Sequence, residues 1–320
     1  MQTVIQTREL SKSFRSRDKS KTVDAVNGVD LEVGEGEIFG FLGPNGAGKT
    51  TTLRMLATLL APDGGTAIVA GVDLRRQPGE VRRRIGYVAQ GGSTWEESTA
   101  REELVLQARL YGLSKIDAHQ RAARALASFQ LAEYADRKCK TYSGGQRRRV
   151  DIALGIIHSP QVVFLDEPTT GLDPQSRAHM WDEVRRLRDE GMTVFLTTHY
   201  LDEADALCDR LAIIDQGRVV TEGTPDELKR DLSGDVLVVG LGSGAAERAQ
   251  ALLRSEPYVN RVEPTEDGAL RLFVDDGASA IPHVLRVLDG ADLPLTTVEL
   301  HRPSLDDVFL AKTGRSLRES

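Results

Sequence analysis

The octapeptide Gly43-Pro44-Asn45-Gly46-Ala47-Gly48-Lys49-Thr50 constrains this chain more than any other stretch of it. It fits G-x-x-x-x-G-K-[ST], a pattern that cradles nucleotide phosphates. Glycines let successive backbone N–H groups turn inward and form a nest for an anion. A helix starting at the loop adds its positive N-terminal end. Lys49 then reaches the β- and γ-phosphates, and the Thr50 hydroxyl ligates Mg²⁺. The context agrees: strand-like Glu37–Leu42 precedes the loop, and Thr51–Leu60 follows with helical spacing. Alone, the loop says only that a nucleotide phosphate binds, since kinases, GTPases and motor proteins share it.

Short apolar strands alternate with helices through the first part of the chain. Residues 3–10 and 28–33 read as strands, and Arg15–Thr22 as a surface hairpin tip or loop of unknown role. Residues 81–90 form a strand-like stretch ending in Val88-Ala89-Gln90. The pattern is helical from Thr99 to Pro160. Strands follow at 161–167, 192–199 and 210–217, with a glycine-stopped helix at 184–191. This alternation predicts an α/β fold, a parallel or mixed sheet covered on both faces, with about 92–160 as an inserted helical subdomain. A composition change at Leu232-Ser233-Gly234 predicts domains 1–232 and 233–320, and a length of 320 residues suits two. Beyond it the expected order is strand 235–241, helix 245–255, strands 258–264 and 269–275, helix 278–289 and strand 295–301. That is the ferredoxin-like α+β order, followed by a last helix capped by Ser304.

Three further motifs narrow the chemistry. Val162–Leu165 runs into Asp166 and Glu167. A carboxylate at a strand end can hold Mg²⁺ through water, and its neighbour can polarise an attacking water. Ser143-Gly144-Gly145-Gln146 enters a helix and forms a second anion-binding N-terminus. One nucleotide needs only one phosphate loop, so a second suggests a site built from two chains. A plain helix cap with flexible glycines explains the same turn. His199 and Gln90 each end a strand beside the phosphate-binding elements, which favours contact with the γ-phosphate.

Composition removes some classes. The net charge is -7, from 41 basic and 48 acidic side chains, which argues against nucleic acid as the main partner. Cys139 and Cys208 are far apart, so a reducing compartment is expected. No run approaches the roughly 20 apolar residues of a membrane-spanning helix, and Met1–Leu10 lacks a signal-peptide pattern. The sequence alone therefore leads us to expect a chain that neither spans a membrane nor is exported.

With these motifs in their order, residues 4–230 resemble the ATP-binding subunit of an ABC transporter, a P-loop NTPase cassette. Gly43–Thr51 matches the Walker A motif, Gln90 the Q-loop, Tyr142–Gln146 the signature and Val162–Glu167 the Walker B motif. Gly171-Leu172-Asp173 matches the D-loop and His199 the H-loop. The resemblance implies that two cassettes close head to tail over two ATP molecules. Residues 43–48 with Lys49, Thr50 and Thr51 would bind the phosphates, and Thr50, Gln90 and Asp166 the Mg²⁺. Ser143, Gly144, Gly145 and Gln146 would cap the nucleotide held by the other chain. Glu167 resembles the general base, His199 the γ-phosphate sensor and Asp173 the link between sites. Phe14 stands where the family usually has a tyrosine stacked on adenine, and any aromatic face can stack. Tyr142 replaces the usual leucine, a change of packing.

The C-terminal Pro303–Leu310 resembles the tail of daunorubicin-resistance type drug-export ATPases. That resemblance implies an ATPase that drives export of a drug, antibiotic or lipid-like compound through a separately encoded integral membrane permease. It also implies a place at the cytoplasmic face of the cell membrane. The complete motif set in this one chain favours a homodimer of the cassette over a heterodimer, and the acidic balance favours no nucleic acid as partner. Trp95 is either an apolar anchor for the permease or a locally packed loop residue. The alternative is a soluble ABC-type ATPase acting on nucleic acid or ribosomes. A kinase or GTPase has no place for the Tyr142–Gln146 motif or for His199.

Overall fold

Five parallel strands carry the phosphate-loop half of the chain. The computed structural model describes residues 2–15, 22–242, 245–265, 269–301 and 303–314, and of residues 232 and 233 the backbone alone. Residues 16–21, most of the expected loop at Arg15–Thr22, lie outside the described residues. The chain divides into two compact units, Met1–Glu222 and Gly223–Glu319. The division falls upstream of the composition change at 232–234.

In the first unit β1 (Thr3–Arg15) and β2 (Thr22–Gly34) lead into β3 (Ile38–Leu42) and α1 (Lys49–Leu56). Next come β4 (Gly64–Val69), β5 (Val72–Asp73), α2 (Pro78–Arg84) and β6 (Ile85–Val88). The helical segment holds α3 (Ala100–Leu110), α4 (Lys115–Ser128) and α5 (Gly144–Ile156). The unit closes with β7 (Val162–Asp166), α6 (Pro174–Asp189), β8 (Thr193–Thr198), α7 (Leu201–Leu207), β9 (Arg210–Asp215) and β10 (Arg218–Gly223).

The central sheet has the order β10-β9-β3-β8-β7-β6, and its neighbours from β9 to β6 pair in parallel. Every residue of β3, β7 and β8 is buried, as parallel strands covered on both faces require. Phe195 of β8 packs on Phe39, Phe41 and Phe164, with ring centroids 5.6, 5.7 and 5.7 Å away. Burying each such ring contributes roughly 1.5–3 kcal/mol. A second, antiparallel sheet has the order β2-β1-β4-β5.

The register of the parallel sheet positions the site. Leu42 pairs with Thr198 and Asp166 with Thr197, while Val88 pairs with Leu165. The phosphate loop, Gln90, Glu167 and His199 therefore all leave from the carboxyl ends of adjacent strands, where α/β sheets bind ligands. His199 lies one residue past β8. The strand expected at 81–90 is shorter: residues 78–84 form α2, and only Ile85–Val88 is strand. Pro78 at the helix start and Glu80 bonded to Arg83 and Arg84 explain the change.

The second unit contains α8 (Pro225–Ser233), β11 (Asp235–Leu241), α9 (Ala246–Leu253), β12 (Val259–Pro264) and β13 (Leu270–Val274). It ends with α10 (Gly277–Gly290), β14 (Leu295–His301) and α11 (Leu305–Thr313). The sheet order β12-β13-β11-β14, antiparallel throughout, is the expected ferredoxin-like arrangement. Its core includes Leu237, Val239, Leu270, Leu272, Val284 and Leu288. Ser304 caps α11 in a capping box with Asp307, and α11 packs against α8. No helix among the described residues is long and apolar enough to cross a membrane. Both cysteines are free and buried.

Candidate functional site

Two glycines make the phosphate loop sterically possible. Gly48 has φ 104°, and a side chain there would meet the Ala25 carbonyl oxygen at 2.3 Å. A Cβ on Gly43 would lie 2.3 Å from the Ile214 carbonyl oxygen. The loop then delivers Lys49 to the start of α1, buried and donating to the carbonyls of Gly43 and Pro44 at 2.7 and 3.0 Å. Its ammonium lies 3.5 Å from Glu167 Oε1. Burial holds the Lys49 pKa below its ordinary value, against the opposing pull of Glu167 and Asp166.

Asp166 is fully buried at the end of β7. Its Oδ1 accepts from the Thr50 hydroxyl at 2.9 Å and the Thr197 hydroxyl at 2.8 Å. Its Oδ2 is buried without a hydrogen-bond partner. The Thr197 hydroxyl also accepts from the Glu167 amide at 3.1 Å, so one side chain ties both acids together.

Glu167 adopts φ 45°, a strained conformation for a residue with a Cβ. Its Oε2 accepts from Gln90 Nε2 at 2.8 Å and from the Thr170 hydroxyl at 3.1 Å. His199 Nδ1 lies 3.2 Å from the same oxygen, yet without the alignment of a hydrogen bond. Burial pushes the Glu167 pKa up, but His199, Lys49 and Thr170 outweigh it, and the carboxyl sits below its ordinary value. The group is thus ionised at neutral pH.

A cavity of about 310 Å³ is lined in part by Phe14, Asn45, Lys49, Thr51, Gln90 and Glu167, while Asp166 and His199 are not among its lining residues. Pro44, Gly46, Gly48 and Thr50 complete its phosphate-loop wall. Gly43 and Ala47 lie behind it, with the Ala47 amide donating to the Pro44 carbonyl. Phe14 keeps 43% of its surface exposed, and Lys12 Nζ stands 5.8 Å from its ring centroid.

The signature residues lie elsewhere. Ser143 caps α5, accepting from the Gln146 amide at 3.2 Å, while its own amide donates to Gln146 Oε1 at 2.9 Å. Ser143, Gly145 and Gln146 line a separate cavity of about 230 Å³, and Gly144 lines another of about 380 Å³ that reaches Gln90. Asp173 caps α6, accepting from the Ser176 hydroxyl and amide at 2.6 and 2.9 Å, contacts that lower its pKa. None of these five residues lines the phosphate-loop cavity. Trp95 is 76% exposed, which overturns the locally packed alternative.

Sequence reasoning missed Thr197, Thr170 and Arg148. Thr197 falls inside an apolar strand, where a threonine reads as a β-former. Thr170 lies three residues after Glu167, in a turn closed by its amide on the Glu167 carbonyl. Arg148 is hidden in a run of three arginines, although a helix sends them to different faces.

The sequence profile of the ABC transporter family matches residues 26–170. The profile described as ATP-binding protein DrrA1-3-like, C-terminal domain, matches residues 223–313. The chain is 51% identical over 292 residues to the daunorubicin/doxorubicin resistance ATP-binding protein DrrA of Streptomyces peucetius, covering 91% of this chain and 88% of that one. It is 38% identical over 301 residues to Nod factor export ATP-binding protein I of Paraburkholderia xenovorans, covering 93% and 94%. Among solved structures it is similar to a dimeric, post-hydrolysis ATP-binding cassette bound to ADP and Pi. That likeness has a TM-score of 0.63 at 26% identity, covering 69% of this chain and 98% of that one.

Proposed function

The chain belongs to the ABC transporter family as an ATP-hydrolysing cassette of the daunorubicin-resistance type, and from that premise we propose how its residues divide the work. The cassette drives efflux of a drug, antibiotic or lipid-like compound through a separately encoded membrane permease. It sits peripherally on the cytoplasmic face of the cell membrane as a homodimer. Relatives that match most of this chain are named for drug resistance and for Nod factor export, so action on nucleic acid or ribosomes is set aside.

The backbone of residues 43–48 with Lys49, Thr50 and Thr51 holds the ATP phosphates, and Phe14 stacks on the base. The donors beside them suit Mg²⁺. Asp166 Oδ2 is buried and unpartnered, the Thr50 hydroxyl adjoins Asp166, and Gln90 faces the same cavity. No group of three or more His, Cys, Asp or Glu side chains suited to a metal occurs among the described residues. Mg²⁺ is typically held by one or two carboxylates plus substrate phosphates and water, so none is needed. Thr50, Asp166 and Gln90 would hold the ion, which would supply positive charge against the phosphates.

Glu167 acts as general base. Its Oε2 already accepts from Gln90 and Thr170. Oε1, which contacts Lys49, is left to take the proton from the attacking water once Lys49 turns to the phosphates. His199 contacts the γ-phosphate. Ser143, Gly144, Gly145 and Gln146 close over the nucleotide of the second copy, and Asp173 links the two sites. One observation carries this division: Lys49, Thr50, Gln90 and Glu167 line one cavity while the signature turn lines others. The barrier falls mainly by positioning and charge stabilisation.

Co-expression with membrane proteins encoded by neighbouring genes tests the proposal. Stable co-purification and ATPase activity stimulated by a transported compound are expected. Failure of any membrane protein to co-purify, with turnover stimulated by DNA, RNA or ribosomes, would overturn it.

A further inference from the structure

The helix that opens with the signature turn also holds the backbone on either side of Glu167 in its own chain. Arg148, on α5, is 7% exposed, and each nitrogen of its guanidinium donates to a backbone carbonyl. Nε donates to Pro168 at 2.8 Å, Nη1 to Ala89 at 2.6 Å and Nη2 to Asp166 at 3.1 Å. Asp166 and Pro168 flank Glu167, and Ala89 immediately precedes Gln90. One side chain therefore holds the backbone on both sides of the proposed base and the residue before its hydrogen-bond donor. Asp151, on the same helix, completes the grip: its Oδ1 accepts from the Ser93 amide and hydroxyl at 2.8 and 3.1 Å. Residues 90–92 are thus pinned to α5 at both ends.

The backbone at Glu167 needs such a clamp. Its φ of 45° is one a side-chain-bearing residue keeps only where surrounding contacts over-determine it. A planar guanidinium with donors in a fixed fork can hold three carbonyls at once, and a lysine cannot.

We propose that Arg148 is a positioning residue for ATP hydrolysis, coupling the seating of the signature helix to the placement of Glu167 and Gln90 within one chain. The proposal rests on the reading of Glu167 as general base. Arg148 does not line the phosphate-loop cavity; it sets the frame from which Glu167 and Gln90 reach it. A helix displaced at its signature end would misplace the base in its own chain, so each copy hydrolyses only when its own signature turn is seated.

The test compares wild-type full-length chain with Arg148→Ala, Arg148→Lys and Glu167→Gln. Turnover is measured as ATPase rate, and nucleotide affinity with trinitrophenyl-ATP fluorescence. Loss of charge-assisted hydrogen bonds from a positioning residue should lower kcat about 30-fold in Arg148→Ala and about tenfold in Arg148→Lys, with affinity kept within about threefold. Millimolar methylguanidinium should raise the Arg148→Ala rate several-fold and leave wild type unchanged, which a purely structural role would not produce. If Arg148→Ala does not fold, Arg148→Lys decides. A kcat for Arg148→Lys within about twofold of wild type overturns the proposal, as does parallel loss of kcat and affinity. Glu167→Gln separates the two claims. Normal turnover there sinks the base assignment, whereas a dead Glu167→Gln beside a normal Arg148→Lys sinks the positioning role alone.

Discussion

Gln90 Nε2 donates a 2.8 Å hydrogen bond to Glu167 Oε2, joining the end of one sheet strand to the acid that follows the next. Gln90 also lines both the phosphate-loop cavity and the cavity beside Gly144. A change at either place thus reaches the acid through one side chain.

Replacing Glu167 by Gln removes the proton acceptor but keeps the shape of the site. Turnover should fall about a hundred- to ten-thousand-fold, the range for a general base. Nucleotide affinity should stay near wild type. Single-turnover assays with radiolabelled ATP separate binding from hydrolysis, and a rate near wild type would remove Glu167 from the base role.

Thr197 bridges the two acids, donating to Asp166 Oδ1 and accepting from the Glu167 amide. Thr197→Val keeps the β-branched shape and deletes both bonds at a fully buried position. Urea denaturation should show a loss of about 1–3 kcal/mol, the cost of stranding buried polar groups. An unchanged midpoint would mean that the bridge contributes nothing to stability.

Glu203 supplies a pH dependence. Its Oε1 accepts from the Thr169 hydroxyl at 2.7 Å and from Trp181 Nε1 at 3.1 Å, while Oε2 is buried and unpartnered. Burial raises its pKa despite those donors. A raised folded-state pKa gives stability that is fully present below the unfolded value and lost as pH rises through the folded one. Wild type should therefore lose stability relative to Glu203→Gln as pH climbs from the ordinary carboxylate range through the raised value. Unfolding free energies of both proteins at matched pH values check this, and a constant difference would contradict it.

Phe309 belongs to the segment by which the C-terminal tail resembles drug-export ATPases, and it is fully buried on α11. Phe309→Ala should cost the second unit about 3–5 kcal/mol, the range for a large core truncation. Limited proteolysis should then cut within residues 223–314 before the first unit. Equal resistance of mutant and wild type would show that α11 does not hold that unit together.

Much of the site was legible because its residues sit in short contiguous motifs at strand ends. Lys49 follows from the glycine-rich motif, Asp166, Glu167 and His199 each from the apolar run before them, and the second unit from strand and helix periodicity. What escaped depends on contacts distant in sequence. Thr197 matters because β8 pairs beside β7, and Arg148 because α5 crosses the ends of β6 and β7. No local pattern distinguishes Arg148 from Arg147 or Arg149. The misread stretch at 81–84 has the opposite cause: one apolar Val81 beside Ile85 mimicked a strand, while Pro78 and the Glu80 pairing made a helix turn.

In the proposed mechanism each ATP site is completed by the signature turn of a second copy. ATPase rate per chain, measured across a dilution series that crosses the dimerisation constant from sedimentation, tests it most directly. A shared site predicts that the rate per chain falls steeply below that constant, in step with the loss of dimer. A rate per chain that stays constant through the same dilution would contradict it.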